Sequence, residues 1–204
     1  MIANGIPGAT GAGTRAPGVV IAIVSNIEDD DELGRIKVKF PWLADVVESG
    51  WARFAVPGAG PDSGMVWLPE VGDEVLVAFE MGDFSRPVVI GGLWNGKDKP
   101  PLGDGLIDNG TVTRRSFVSR KGHKFEFLDA DDKSGISLMS SDEKFEVSLD
   151  ETNGELRTKA DGKLVIEAQS LEIKVDTDAK VKATGISLEA DGQMKIKGAT
   201  VALN

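Results

Sequence analysis

Histidine and cysteine are the side chains that most often act as general bases, nucleophiles or metal ligands near neutral pH. The 204-residue chain has one histidine, His123, and no cysteine. A metal site or a nucleophile–base pair needs a second such group, and the sequence supplies none. His123 follows the basic residues of a turn, SRKGH at 119–123, between two short alternating segments. We therefore predict a structural role for His123.

Carboxylates are abundant, but their spacing does not indicate catalysis. Five of them are adjacent, at 28–32, and this run lacks the alternating ligand positions of a calcium loop. We interpret it as a solvated hairpin tip. The other acidic residues fall on turns and on the polar side of short strands, where no cleft for a glycosidase pair is expected. The G-x-S-x-G signature of serine hydrolases is also absent, so we predict no enzyme activity and no cofactor.

Composition narrows the class of partner. The formal net charge is −10, which disfavours nucleic acid as a ligand. Twenty-five glycines and nine prolines are typical of short strands joined by many turns. The first 17 residues have neither a basic segment nor an apolar core, so we expect synthesis in the cytoplasm without a signal peptide. They are rich in Gly, Ala, Pro and Thr and are predicted to be a flexible arm.

The C-terminal residues 164–203 carry a repeat on which the interpretation of the whole chain depends. Apolar or small residues recur there at i, i+2 and i+4, in groups that begin at 164, 171, 179, 186, 194 and 201. The alternating steps of 7 and 8 define a 15-residue unit of two short strands, each with one apolar side. The large apolar side chains of this side are Leu164, Ile166, Leu171, Ile173, Val175, Val181, Ile186, Leu188, Met194 and Ile196.

A strand of about five residues with one apolar side is not stable alone. Such repeats bury their apolar side by stacking or by sharing it with other chains. We therefore predict an intertwined triple-stranded β-helix, or β-prism, in which a homotrimer buries these ten residues around its axis. A single-chain β-solenoid and one half of a β-sandwich are the alternatives. The sequence leaves open whether three copies of His123 meet on this axis.

Residues 18–97 are predicted to form a small β-barrel. Short alternating or apolar segments occur at 18–27, 34–40, 51–56, 65–68, 74–79 and 87–93, separated by turn-rich sequence. Five or six short strands in about 80 residues are typical of an OB-fold. The predicted organisation is all-β: a flexible arm at 1–17, the OB-fold at 18–97, a linker at 98–113 and the trimeric β-helix at 114–204.

Three strings within 18–96 carry a specific resemblance: GRIKVKFPW, SGWARFAVPGAG and GMVWLPEVGDEVLVAFEMGDFSRPVVIGGLWNG. They resemble the OB domain of contractile-injection spike proteins, a family that includes phage baseplate assembly protein V and the VgrG spikes of type VI secretion. The later string RRSFVSRKGHKFEFLDADDKSGISL is similar to the segment that opens the VgrG β-helix.

The resemblance implies a structural central spike of a phage tail, tailocin, extracellular injection system or type VI system. Such a spike docks beneath a hub in the baseplate and pierces the target membrane when the sheath contracts. VgrG proteins carry hub domains before the barrel, whereas 17 residues precede it here, so a separate hub protein is expected to bind residues 1–60. The segment at 97–113 is too short for the lysozyme domain of some phage spikes.

The C-terminal residues have no iron-binding H-x-H motif. We instead expect Val201, Leu203 and Asn204 to form the docking site of a PAAR-like tip protein.

Two functions other than the spike are compatible with the sequence. One is an OB-fold module that binds carbohydrate or nucleic acid, which the absence of tyrosine and the acidic charge disfavour. The other is a β-helical enzyme acting on polysaccharide, for which no site is identified.

Overall fold

The computed structural model describes residues 18–43, 47–101 and 105–202. These residues are all-β as predicted, with a single 3-10 turn at Glu80–Gly82. The strands are β1 (Val19–Asn26), β2 (Lys37–Lys39), β3 (Arg53–Phe54), β4 (Ala59–Gly60), β5 (Ser63–Gly64), β6 (Glu74–Phe79), β7 (Pro87–Gly92), β8 (Ile107–Asp108), β9 (Thr111–Val112), β10 (Arg114–Val118), β11 (Lys124–Ala130), β12 (Lys133–Met139), β13 (Phe145–Asp150) and β14 (Glu155–Ala160).

The first five-stranded sheet closes into a barrel. Its strand order is β2-β1-β6-β7-β3, and β3 runs parallel to β7 while the other neighbours are antiparallel. A bridge between Ile36 and Ala52 joins β2 to the strand region around β3, and so brings the two ends of the sheet together. This order and the one parallel pair are those of an OB-fold, which the strand spacing had predicted.

The barrel is held together by an apolar interior. Ten residues form its buried core: Ala22, Val24, Ile36, Val38, Phe40, Ala52, Val75, Val77, Phe79 and Val89. They alternate along β1, β2 and β6, because successive side chains of a strand point to opposite faces. Phe40 is the largest fully buried side chain, and its ring lies 4.9 Å from that of Phe84. This aromatic contact closes one end of the core.

The strand predicted at 65–68 is wrong. The segment that precedes it makes a tight hairpin instead, in which β4 pairs with β5. Gly64 has φ +147°, and a Cβ there would lie 2.3 Å from the carbonyl oxygen of Gly58, so only glycine fits. Residues 65–69 leave this hairpin as irregular chain, and Pro69 has no N–H with which to continue a ladder.

A second short hairpin lies inside the segment predicted as a linker. It pairs β8 with β9, and its two turn residues, Asn109 and Gly110, have φ of 47° and 81°. Positive φ at both central residues defines the type I′ turn that Asn-Gly favours. The chain between the barrel and the second sheet is therefore partly ordered by its own backbone pairing.

The second five-stranded sheet is an antiparallel meander of β10 to β14 in chain order. Four of these strands include segments for which the sequence predicts short strands, at 116–118, 124–128, 135–139 and 145–149. The fifth, β14, is reached through a turn whose Gly154 has φ 63°. The barrel and this sheet belong to one compact unit that ends at Asp161.

Residues 162–202 belong to the second unit, which begins at Gly162. They form no helix or strand and have bends at 162, 169, 176–177, 184, 191–192 and 199. These bends separate the apolar groups found in the sequence, so the backbone follows the 15-residue repeat. No strand ladder is assigned within 162–202. The intertwined prism, which needs other copies of the chain, stays a prediction.

Candidate assembly surfaces

His123 has hydrogen bonds that hold two turns together. Its Nδ1 accepts a bond from the backbone N–H of Ser141 at 3.2 Å, and its own N–H donates to Ser119 Oγ at 3.1 Å. The imidazole thereby joins the turn before β11 to the turn after β12. This arrangement agrees with the structural role predicted for His123.

The acidic run at 28–32 is only partly a solvated tip. The side chain of Asp29 is 3% exposed, and its Oδ2 accepts a bond from Arg35 Nε at 2.9 Å and another from the N–H of Leu33. The side-chain hydrogen bonds from Arg35 hold the pKa of the Asp29 carboxyl far below its usual range. The prediction of a solvated tip is therefore wrong for Asp29, which instead organises the loop.

The outer surface of β2 and β3 is where OB-folds commonly bind oligonucleotides and oligosaccharides. The Lys37 ammonium lies 4.9 Å from the ring of Trp51 there. Lys37 also lies 3.7 Å from Glu48, and Arg53 lies 3.4 Å from Glu80. Lys37 and Arg53 thus each have a carboxylate partner, which reduces the positive charge that they offer to a phosphate backbone.

The barrel carries an apolar patch on its outside. Val19 and Ile21 on β1 are 51% and 48% exposed, and Ile90 on β7 is 43% exposed. The partly buried Leu76, which pairs with Ile21, lies between them on β6. The central barrel strands are thus apolar on both faces, a pattern typical of strands covered on both sides. In the sequence, the near-continuous apolar run at 19–24 indicates this patch, but none of the predicted site residues lies in this run.

Aromatic side chains connect the barrel with the second sheet. The ring of Trp67, in the loop after β5, lies 6.1 Å from that of Phe117 on β10. Phe117 stacks on Phe125 at 6.2 Å, and Phe125 lies 4.9 Å from Phe127. An ion pair between Arg120 and Glu70, 2.9 Å long, adds a polar link at the same place.

The second sheet exposes its apolar face and covers part of its polar face, which is the opposite of what their composition predicts. On one face, Phe117, Leu138, Phe145 and Val147 are 46% to 53% exposed. On the other, Glu126 is only 6% exposed and Glu126 Oε1 has no hydrogen-bond partner in the described part of the chain. The apolar face is therefore the open one. The sequence predicts these strands but indicates no role for this face.

The ten residues predicted for the trimer core lie on chain without helix or strand and are open to solvent in the single chain. Their exposure ranges from 48% for Met194 to 80% for Val181. No backbone hydrogen bond joins two residues of 162–202 in the described structure. The structure brings none of these side chains together within one copy, so the predicted trimer core stays a prediction.

Of the three residues predicted for tip docking, Val201 lies at the end of this chain segment and is 53% exposed. Leu203 and Asn204 lie outside the described residues, as does the predicted arm at 1–17.

Among the residues that the structure describes, no three acidic or histidine side chains group as a metal site. In the same residues, no helix has the length and apolarity to cross a membrane.

A closed OB barrel, an antiparallel sheet and a 15-residue repeat together define a class of all-β proteins. Within this class, residues 20–94 match the family described as the type VI secretion system/phage-baseplate injector OB domain. The barrel is therefore similar to the injector OB domains of this family. The resemblance to VgrG-like spike proteins stated from the sequence is confirmed.

Three relatives show the extent of the similarity. The type VI secretion system spike proteins VgrG2a and VgrG1b of Pseudomonas aeruginosa are 32% identical over 116 and 142 residues, or 54% and 63% of this chain. The actin cross-linking toxin VgrG1 of Vibrio cholerae is 31% identical over 126 residues, or 58% of this chain. The matches cover 14%, 19% and 11% of these three proteins, so the chain spans a small part of their length.

Proposed function

We propose that this chain is the central spike subunit of a contractile injection machine and acts as a homotrimer. The observation that carries the proposal is the repeat at 164–201, whose apolar side chains and backbone groups have no partners within 162–202. The match of the barrel to the injector OB domain family supports the same function. Relatives named as type VI spike proteins share the similarity over more than half of this chain.

Three copies would supply what one copy lacks. Each extended segment would pair its N–H and C=O groups with segments of the other two chains, and the apolar sides would meet at the axis. Covering a large apolar side chain stabilises by roughly 1.5–3 kcal/mol. A closed prism of this kind resists bending because few of its edges are open. The proposed action is mechanical: sheath contraction drives the spike through the target membrane.

We place the hub contact at the barrel. Its support is the patch of Val19, Ile21 and Ile90, which is open to solvent on strands that are apolar on both faces. A hub or baseplate protein that covered this patch would complete the burial typical of such strands. The proposed hub contact thus includes the barrel patch as well as the arm at 1–17, which the sequence predicts to bind the hub.

The far end of the repeat is the proposed contact of a PAAR-like tip protein. Three copies of Val201 would lie together at the end of a trimeric prism, with apolar surface and strand ends open for docking. A structure of the assembled particle that showed nothing beyond the last residues of the trimer would contradict this proposal.

The proposed role is not enzymatic, and the subunit would work as part of a particle made from cytoplasmic components. The support is that relatives are named as spike proteins. The relative named as an actin cross-linking toxin matches over 11% of its own length, so its toxin name does not extend to this chain.

Carbohydrate binding is a second candidate function, favoured by one observation. An open groove of about 810 Å³ runs beside the barrel, and Trp67 and Trp94, which are 47% and 67% exposed, line it. Exposed indole rings can stack on sugars. A monomeric protein whose tryptophan fluorescence changes with oligosaccharide would favour this function over the spike.

Light scattering of the pure full chain tests the spike proposal. We expect three times the chain mass of 21.6 kDa. Ile173→Asp would place three carboxylates near one axis and is expected to prevent assembly. Lys174→Asp is the matched control, since it puts the same charge on the outward neighbour, and should leave the trimer intact. A monomeric wild-type protein, or a trimer that tolerates Ile173→Asp, would refute the proposed core.

A further inference from the structure

The polar face of the second sheet carries a row of hydroxyl and charged side chains. Strand pairing aligns one residue from each strand in this row: Ser116, Glu126, Ser137, Ser148 and Arg157. Opposed residues of adjacent strands lie on the same side of a sheet, so these side chains cross all five strands on one face. We name these five residues the polar row.

A cavity of about 230 Å³ lies over the polar row, and four members of the row line it. Its lining includes Arg114 on β10 and Arg157 on β14, which are the two edge strands of the sheet. In a flat sheet the first and fifth strands would lie roughly 19 Å apart, at about 4.8 Å for each step. Side chains of both edges reach one cavity because the sheet curves around its polar face. The polar row is therefore the floor of a concave site.

Two oxygen atoms on this floor are buried and have no hydrogen-bond partner. Glu126 is 6% exposed and Ser137 is 5% exposed. Neither Glu126 Oε1 nor Ser137 Oγ has a hydrogen-bond partner among the residues that the structure describes. The two residues lie directly opposite each other on β11 and β12. Since the large majority of buried polar atoms are hydrogen-bonded, this pair of oxygens indicates a ligand that brings N–H donors.

The basic side chains that line the cavity are directed to other groups. Arg157 Nε donates to Glu155 Oε1 at 2.9 Å. A Cβ added at Gly105 would lie 3.6 Å from Arg114 Nη1, so this guanidinium is directed toward residue 105. Lys133 begins β12, four residues and about 13 Å of strand before the serine of the polar row. The donor that Glu126 requires must therefore come from outside the cavity lining.

A lysine side chain has the chemistry and the size for this site. Its ammonium group offers three N–H donors and no acceptor, which matches two buried acceptor oxygens. Leu128 and Met139 line the cavity beside them and can contact the aliphatic stem. The five non-hydrogen atoms of the side chain need roughly 150 Å³ at about 30 Å³ each. The carboxyl groups of Glu146 and Asp150, which also line the cavity, favour a cation over an anion.

We propose that this cavity binds a lysine side chain of a partner protein. The partner presents this lysine on a protruding loop or chain end, because the site is concave and admits one side chain. Successive side chains of a strand point to opposite faces, so the cavity opens away from the exposed apolar face of the same sheet. The site thus stays accessible when the apolar face is covered. This inference does not depend on the number of copies in the assembled protein.

Methyl NMR of the full chain tests the site. The protein has five methionines, of which Met139 lines the cavity and Met81, 88% exposed on the barrel, is an internal control. Met139→Leu assigns the signal. The probe is the blocked peptide acetyl-Gly-Gly-Lys-Gly-Gly-amide, and the matched control peptide carries an Nε-acetylated lysine, which has no charge. We expect a saturable shift of the Met139 signal, with a midpoint on the order of 1 mM. The Met81 signal should not move, and the acetylated peptide should cause no shift.

Glu126→Gln tests the role of the carboxyl group, because it keeps the shape of the side chain and removes its charge. It is expected to weaken binding of the lysine peptide about tenfold or more, since hydrogen bonds to charged groups are the stronger ones. Glu172→Gln is the matched control, because it makes the same charge change on a side chain that is 77% exposed and outside the cavity. This variant should bind the peptide like the wild type. Unchanged methionine signals at the other four positions would show that Glu126→Gln is folded.

Three results would overturn the proposal. One is a wild-type protein whose Met139 signal does not respond to the lysine peptide at millimolar concentration, which would leave water or another group of the same protein as the partner of Glu126. Another is equal binding by Glu126→Gln. The third is binding of free butylamine without binding of the peptide, which would limit the cavity to a small free amine. Light scattering of the same samples measures assembly separately, so a trimer that does not bind the peptide would leave the proposed spike intact.

Discussion

Replacing Phe40 by alanine tests the account of the barrel core. Phe40 is 0% exposed, and its ring centre lies 4.9 Å from that of Phe84, 5.9 Å from Phe79 and 6.0 Å from Trp42. A buried phenylalanine changed to alanine lowers the free energy of unfolding by roughly 3–5 kcal/mol. The three aromatic neighbours add contacts worth about 0.5–1.5 kcal/mol per pair beyond simple burial. We therefore expect a loss at the upper end, about 4–5 kcal/mol.

This loss is large for a domain of this size. About 80 residues at 0.05–0.15 kcal/mol each give a barrel stability of roughly 4–12 kcal/mol. With a urea dependence of about 2 kcal/mol/M, the unfolding midpoint of Phe40→Ala should fall by roughly 2 M. Because this loss is comparable to the lower bound of the barrel stability, Phe40→Leu serves as a milder variant with an expected loss of about 1.5 kcal/mol.

Tryptophan fluorescence is a selective assay for this change. All four tryptophans lie between positions 42 and 94, within the barrel segment, and none occurs after it. Urea unfolding followed by fluorescence therefore reports on the barrel. Leu33→Ala, at a 68% exposed position, is the control and should shift the free energy of unfolding by less than about 0.5 kcal/mol. A loss below about 2 kcal/mol for Phe40→Ala would refute the assignment of Phe40 as the centre of the core.

Two further predictions concern the loop before β2 and the outer patch of the barrel. The pKa of Asp29 is held far below its unfolded value of about 3.9 by Arg35, so its contribution to stability is complete above about pH 4 and is lost as the pH falls through the folded pKa. Urea unfolding between pH 2 and 7 should therefore show a smaller acid-induced loss of stability for Asp29→Asn than for the wild type, and equal losses would contradict the role of Asp29. For the outer patch, Ile21→Lys should weaken co-purification with the hub protein of the same machine at least tenfold, whereas Leu33→Lys should not; unchanged hub binding by Ile21→Lys would exclude the patch.

The strands, the repeat and the barrel family could be predicted from local patterns in the sequence. Alternation placed β1, β6, β7 and four strands of the second sheet, because a strand with one buried face must repeat its apolar residues every second position. The same rule located the 15-residue repeat, and the bends of residues 162–202 follow it. The barrel could be recognised because several independent strings agreed with one family, and the match over 20–94 confirms it. Composition also showed that the sequence has no cysteine or second histidine that could act together with His123.

The tertiary structure decided which groups meet across distant positions. Alternation predicts a strand at 65–68, but the backbone of Gly58 and Gly64 closes a hairpin just before it, and this contact is not local in sequence. The acidic run gave no sign that Asp29 is covered, since its burial depends on the position of the Arg35 side chain. The exposure of the apolar face of the second sheet was also hidden, because alternation identifies two faces of a strand but not which one the folded chain covers. Burial depends on all packed neighbours together, and in the described single chain the apolar residues of this face are exposed.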